Sequence, residues 1–270
     1  MCRAELLVFD LDGTLLDADH SVPESVRAQL AELREMGIET TLATGRPFAS
    51  ARKYVQQLDL TLPLIVFNGA AVVTAEGFPL STRRLPRTAA IDILKILSTT
   101  SAMNSLYLEP ADGCFLTDRA GSATDHIQEK DGVGYRVVRS LPEVVQAAEA
   151  DPVKVFSIGD RSELEEVQQA VRKEYPDISC VFSEHDMLEL LGPSVNKGTA
   201  LGILCEELGL TREVVCAFGD NMNDFELLKQ AGTAVAMASA PMALRDAADY
   251  VVKHVGLFLD DSSCGWRKND

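Results

Sequence analysis

The chain is poor in positive charge: 25 Lys and Arg stand against 41 Asp and Glu in 270 residues, a formal net charge of −16. A field of that sign repels duplexes and other polyanionic surfaces, so nucleic acid is excluded as an expected partner. Cysteine is sparse. Cys2, Cys114, Cys180, Cys205, Cys216 and Cys264 form no C-x-x-C pair, and none lies near a His at zinc-ligand spacing, which excludes structural zinc and dithiol redox chemistry. Several fall in apolar runs, where Cys behaves as a small hydrophobe. No apolar run has the length of a membrane span, and the first is too short for a signal h-region. These absences predict a soluble cytoplasmic protein in a reducing compartment, with no membrane partner. The four histidines, His20, His126, His185 and His254, are scattered and are expected on polar surface. There is no Gly/Ser-rich linker, internal repeat or low-complexity tract, and the single Trp266 sits in a polar tail.

Apolar residues make up 46% of the chain, enough for a sizeable core in one large domain or two smaller ones. The stretch Leu6-Leu7-Val8-Phe9 ends abruptly in Asp10-Leu11-Asp12-Gly13-Thr14. An apolar run of that length reads as a strand buried on both faces, the signature of a parallel sheet. Asp10 and Asp12 then stand at its carboxyl end, where open α/β sheets place ligands. A helix follows, with Ser21 as cap, Pro23 in the first turn and Gly37 as stop. Ile38–Ala43 is a second strand ending in Thr44-Gly45-Arg46, and 48–58 a second helix. Leu64–Phe67 is a third strand ending in Asn68-Gly69. This is a βαβαβ unit whose strand ends converge on one edge.

Beyond residue 70 the pattern changes to a hairpin (72–85), a helix (88–97), a strand (105–108), an Asp112-Gly113 turn and a strand (114–117). Residues 118–135 have no period and read as loop. A helix (141–150) and a strand (153–158) follow, then a helix to Lys173 opened by a capping box at Ser162–Glu165, and a strand (179–182). From Val195 the first pattern resumes. Asn196-Lys197-Gly198 opens a helix to Leu208, and Val214–Phe218 is a fourth apolar strand. It ends in Gly219-Asp220-Asn221-Met222-Asn223-Asp224, followed by a helix (225–230) and short strands at 234–237 and 250–252.

Carboxylates gathered at the strand ends of one sheet repel one another without a cation, and an oxygen-rich, sulfur-free site suits Mg²⁺. Lys197 at a helix start, the Thr44 hydroxyl and the amides at Thr44-Gly45 can hold an anion. One carboxylate can attack phosphorus, and another two residues on can serve the leaving oxygen and then water.

Asp10-Leu11-Asp12-Gly13-Thr14, Thr44-Gly45-Arg46, Lys197 and Gly219-Asp220-Asn221-Met222-Asn223-Asp224 resemble, in order, the four motifs of the haloacid dehalogenase superfamily. The insertion between the third strand and Lys197 resembles the Cof-type branch with a C2 cap. The resemblance implies an α/β fold, a doubly wound parallel sheet of the superfamily's Rossmann-like type with an inserted α+β cap: core 1–84 and 190–270, cap 85–189. It implies Asp10 as nucleophile and Mg²⁺ ligand, and Asp12 as general acid/base with its backbone carbonyl on the metal. Phosphate would be bound by the Leu11 amide, Thr44, Gly45, Lys197 and Asn223. Asp220 would ligate the metal, with Asp224 as second ligand or water-mediated support. A carboxylate at Asp12 favours a phosphatase over the dehalogenase members. The expected activity is Mg²⁺-dependent hydrolysis of small phosphomonoesters, sugar-phosphate-like, through an aspartyl-phosphate, by a monomer or small homo-oligomer. The alternatives are a phosphomutase using the same intermediate and a non-catalytic regulator that binds a phosphorylated metabolite.

Two departures from the branch stand out. Met237-Ala238-Ser239-Ala240 replaces its Met-Gly-Asn-Ala, and the acidic-glycine element near the C-terminus is absent from Val255–Ser262. Both bear on substrate contacts. Arg46 has two readings, partner of a nearby carboxylate or substrate contact at the site mouth. Asp17 reads as a turn residue, Asp249 as a strand-edge residue and Glu163, Glu165 and Glu166 as a solvated helix face.

Overall fold

The computed structural model describes residues 4–109 and 113–260. Asp112, Cys2, Cys264, Trp266 and Asp261-Ser262 lie outside the described residues. Leu6–Phe9 is an interior strand of a five-stranded, all-parallel sheet in the order Tyr250–Val252, Thr233–Met237, Val215–Gly219, Leu6–Phe9, Glu39–Leu42. All four residues of Leu6–Phe9 are fully buried, as the unbroken apolar run requires. Phe9 stacks on Phe218 of the neighbouring strand, ring centroids 4.3 Å apart. The chain winds outward from Leu6–Phe9 in both directions, so a crevice opens at the carboxyl ends on either side of it.

The expected third strand, Leu64–Val66, joins this sheet through one parallel bridge, Ala43 to Ile65. Its regular partner is Ala71–Val73, antiparallel, which pairs in turn with Pro79–Thr82. The expected hairpin is therefore present, and it captures a strand that the sequence assigned to the parallel sheet.

The insertion builds a second, six-stranded sheet in the order Ile178–Glu184, Met187–Pro193, Lys154–Ile158, Met103–Tyr107, Cys114–Thr117, Gly134–Val137. It is antiparallel except for its last pair. One face carries Leu106, Val155, Leu188 and Leu190, which pack with residues of the helices Arg87–Leu97, Leu141–Ala147 and Arg161–Glu174. The other carries Met103, Tyr107, Phe156 and Met187, which join the apolar cluster of the parallel-sheet unit.

Several local expectations change. Residues 118–135 are not loop: they contain the helix Ser122–Asp131 and the strand Gly134–Val137. Only Thr124 and Ile127 of that helix are buried, so it carries no apolar stripe to betray it. The strand Met187–Pro193 carries no periodic signal either, being buried at every position but its last. Ser21 does not cap the first helix, Glu24–Glu35, which starts behind Pro23 without a side-chain cap. The helix Arg161–Glu174 is capped by Asp160, which accepts from the Ser162 and Glu163 amides, rather than by a box at Ser162. Asp249, expected at a strand edge, accepts from the Ala234 amide at 2.8 Å. No helix among the described residues is long and apolar enough to cross a membrane.

Candidate active site

Asp10 leaves the strand Leu6–Phe9 with its amide still bonded to Phe218 O at 3.0 Å, and the side chain is nearly buried. Gly13 then turns the chain at φ +80°, a left-handed conformation that favours glycine. A Cβ there would also strike the Asp220 carboxylate, so the backbone conformation and the close approach demand the same residue. Asp220 is delivered by the adjacent strand Val215–Gly219, and Thr14 donates to its Oδ1 at 3.2 Å.

Lys197 is the first residue of the helix Lys197–Leu208, whose N-cap Asn196 accepts from the Thr199 amide at 2.8 Å. A cation at a helix N-terminus opposes the macrodipole. Here the ammonium is fully buried and lies 2.5 Å from both Asp10 Oδ1 and Asp224 Oδ1, which together hold it charged and raise its pKa against the cost of burial. The second Asp224 oxygen accepts from the amides of Asp220 and Asn221 at 3.0 and 3.1 Å. Both Asp224 oxygens are thus already engaged: this side chain fixes Lys197 and the Asp220 loop. Both expectations for Asp224, second ligand and water-mediated support, fit this geometry, since its carboxylate also offers an oxygen within 4.8 Å of those of Asp10 and Asp220.

Asp12 points away from this cluster. Arg46 grips it with a two-pronged bond, Nε to Oδ2 at 2.7 Å and Nη2 to Oδ1 at 2.6 Å. Burial works against the ionised form of Asp12, but the Arg46 contacts outweigh it and lower the carboxyl's pKa. Nη1 of the same guanidinium reaches Ser50 Oγ at 2.9 Å, Lys130 O at 3.0 Å and Asp131 Oδ1 at 2.8 Å. Arg46 is therefore a carboxylate partner, the first of its two readings. His20, exposed as expected for polar surface, lies with Nδ1 3.6 Å from Asp12 Oδ1.

Thr44, Gly45 and Leu11 surround the same edge. The Leu11 and Gly45 amides have no acceptor among the described residues, and the Thr44 hydroxyl accepts from the Arg46 amide at 3.1 Å, leaving its proton to donate. Asn223 lines the cavity; its Nδ2 donates to Asn68 Oδ1 at 2.9 Å and keeps a second N–H, and its Oδ1 is buried without a partner among the described residues. Asn68 in turn donates to Glu189 Oε2 at 2.8 Å. It sits in a run of three left-handed residues, Phe67, Asn68 and Gly69, at φ 50°, 54° and 96°. Such strain persists where contacts over-determine it: Phe67 packs on Tyr107 at 5.0 Å.

A cavity of about 220 Å³ joins these groups to the inner face of the six-stranded sheet. The residues that reach it from the insertion were not foreseen: Lys130 and Asp131 from the helix Ser122–Asp131, Lys154 and Phe156 from one strand, Glu189 and Met187 from another, and Tyr107. Register puts Tyr107 opposite Lys154 and Phe156 opposite Glu189, so all four share one face. Ser239, the substitute for the branch's Asn, is exposed and does not line this cavity.

The donor set fits Mg²⁺. Carboxylate oxygens of Asp10, Asp220 and Asp224 lie within 4.8 Å of one another, with no sulfur or imidazole among them. Burial, with Asp224 and Asp220 adding and Lys197 opposing, pushes the Asp10 carboxyl well above its ordinary range. Burial and the neighbouring Asp224 push Asp220 to about 6. One buried ammonium does not neutralise three carboxylates. In metal-free protein the raised Asp220 value means that folding favours its protonated form. That stabilisation is fully present below the unfolded value and is lost as pH rises through about 6. The melting temperature of EDTA-treated protein is therefore expected to rise on acidification from about pH 8 to about pH 5.5. The increment on adding Mg²⁺ shrinks over the same range. A Mg²⁺ increment that is absent at every pH contradicts the metal assignment.

A family model described as haloacid dehalogenase-like hydrolase matches residues 7–256. HMP-PP phosphatase from Shigella flexneri is 33% identical over 243 residues, covering 90% of this chain and 87% of the relative. Its counterpart in Escherichia coli (strain K12 / DH10B) is 34% identical with the same coverage. The crystal structure of a haloacid dehalogenase-like hydrolase from Bacteroides thetaiotaomicron superposes with a TM-score of 0.83 at 25% identity, covering 95% of this chain and 98% of that one. With its sheet order, strand-end carboxylates and inserted second sheet, the chain belongs to the haloacid dehalogenase-like hydrolases.

Proposed function

We propose that this protein hydrolyses small phosphomonoesters in the cytoplasm, through an aspartyl-phosphate on Asp10. One observation carries the reading. Asp10 is anchored through Oδ1 to Lys197, while its Oδ2 has no partner among the described residues and the residue lines the cavity. That leaves one carboxylate oxygen oriented for attack, and Asp12 is held separately by Arg46.

In the first step an Asp10 oxygen bonds to phosphorus and the bond to the leaving oxygen breaks; Asp12, held ionised by Arg46 in this structure, supplies the leaving oxygen's proton once that pair has opened and it has taken a proton from water. In the second, water attacks phosphorus, Asp12 takes its proton and Asp10 leaves as a carboxylate. The Thr44 hydroxyl, the Leu11 and Gly45 amides and Lys197 hold the equatorial oxygens. Asp10, Asp220 and the Asp12 carbonyl would hold Mg²⁺, supported by Asp224. Bound there, it offsets phosphoryl charge and lets nucleophile and phosphate approach.

We take residues 1–84 and the C-terminal part from about 194 as catalytic core. The insertion runs on to Pro193, because Met187–Pro193 pairs within the second sheet and a boundary at 189 would cut that strand. It covers the strand ends and excludes water from the cavity. HMP-PP, named for the relatives, heads the list of compounds to try.

The test is release of inorganic phosphate from a panel of phosphomonoesters with Mg²⁺ and with EDTA. Release that requires the metal is expected. Isomerisation of a sugar phosphate without release would favour the phosphomutase instead, and binding without either reaction would favour the regulator.

A further inference from the structure

The cavity has two ends of different character. One holds Asp10 and Asp220. At the other, charges pair off: Lys154 Nζ donates to Glu189 Oε1 at 2.9 Å, and Lys130 pairs with Glu184. Glu189 accepts also from Ser183 Oγ at 3.0 Å and Asn68 Nδ2 at 2.8 Å. Lys154 lies over the rings of Phe67, Tyr107 and Phe156, 5.3, 5.7 and 5.3 Å from their centroids, so its charge is absorbed by its surroundings.

Asp131 is different. Its Oδ1 accepts from Arg46 at 2.8 Å and from Ser50 Oγ at 3.2 Å, whereas its Oδ2 accepts from no described residue. The side chain is only 16% exposed, and it lines the cavity. A carboxylate oxygen so placed lacks a donor that water or ligand must bring. Tyr107 and Phe156 offer flat apolar walls beside it.

Resting on the phosphatase reading above, we infer that Asp131 selects the leaving group. Its Oδ2 takes a hydrogen bond from an N–H or O–H on a ring that lies against Tyr107 and Phe156.

The probes are phenyl phosphate and its 3-amino and 4-amino derivatives, which add one donor to the same ring. With Mg²⁺-loaded protein, kcat/KM for the better amino probe is expected to exceed that for phenyl phosphate by about tenfold or more, because a buried acceptor left unpaired penalises the ring that lacks the donor. Asp131→Asn must keep its carbonyl toward Arg46 and so turns an amide N–H₂ into the cavity. Loss of the Arg46 ion pair lowers activity on every probe, but the amino-to-phenyl ratio is expected to collapse to within about twofold. An equal loss on all probes would make Asp131 a positioning residue acting through Arg46 and overturn the inference. So would a wild-type protein that hydrolyses phenyl and amino probes alike. Absence of phosphate release from every probe would overturn the phosphatase reading itself, and the inference with it.

Discussion

Asp10→Asn is expected to lower phosphate release by a factor on the order of 10⁴ or more while the protein stays folded. The amide keeps the carboxylate's shape, and its oxygen can still accept from Lys197, which lies 2.5 Å from Asp10 Oδ1. What disappears is the anionic oxygen that attacks phosphorus. The same change removes one charge from a cluster in which Asp10, Asp220 and Asp224 share a single buried ammonium. Metal-free Asp10→Asn is therefore expected to melt no lower than metal-free wild type near neutral pH. Phosphate-release assays and thermal denaturation with and without EDTA check both halves. Turnover at the wild-type level in the variant sinks the nucleophile assignment, and a large loss of stability sinks the electrostatic reading of the cluster.

Lys197→Met tests the opposite side of that cluster and is expected to damage fold and activity together. The ammonium is fully buried between Asp10 and Asp224. Methionine fills much of the same volume but leaves two buried carboxylates facing each other. Removing one partner of a buried ion pair costs about 3–5 kcal/mol, and activity falls because the phosphoryl oxygens lose their nearest protein cation. The double variant Lys197→Met/Asp224→Asn should recover a substantial part of the stability, since one of the stranded charges is gone, and little of the activity. Urea denaturation of the two variants and the wild type measures this. Equal stability of the single variant and the wild type contradicts the bridging role.

The core half of the site was legible because its chemistry sits on strand ends. Leu6–Phe9 and Val215–Gly219 are fully buried, so their apolar runs stop where the chain emerges at Asp10 and Asp220, and the eye is led to those carboxylates. Asp224 and Asn223 were placed in the right loop, but the contacts they make there were not. Which oxygen Lys197 claims, and whether an amide turns toward Asn68, depends on contacts from helices distant in sequence. The insertion's half was not legible. Lys130 and Asp131 end a helix with no apolar stripe and look like ordinary surface charges. Lys154 and Glu189 alternate with apolar neighbours as solvent-facing strand residues do, yet both are nearly buried, because the face that pattern would give to water is turned toward the parallel sheet. Only packing of one sheet over the other reveals that. Arg46 marks the junction, binding Asp12 from the core and Asp131 from the insertion with one guanidinium, so the arrangement of the general acid/base depends on how the insertion is seated.

The phosphoryl-enzyme is the step on which the mechanism stands. 4-Nitrophenolate leaves without needing a proton, so Asp12→Asn still permits attack by Asp10 but lacks the base for the water that follows. Mixing this variant with Mg²⁺ and 4-nitrophenyl phosphate should release about one equivalent of nitrophenolate in a burst before a slow steady state. Acid quenching, borohydride reduction and peptide mass spectrometry should then find the modification at Asp10. A linear time course with no burst, or phosphate on a residue other than Asp10, would contradict the aspartyl-phosphate mechanism.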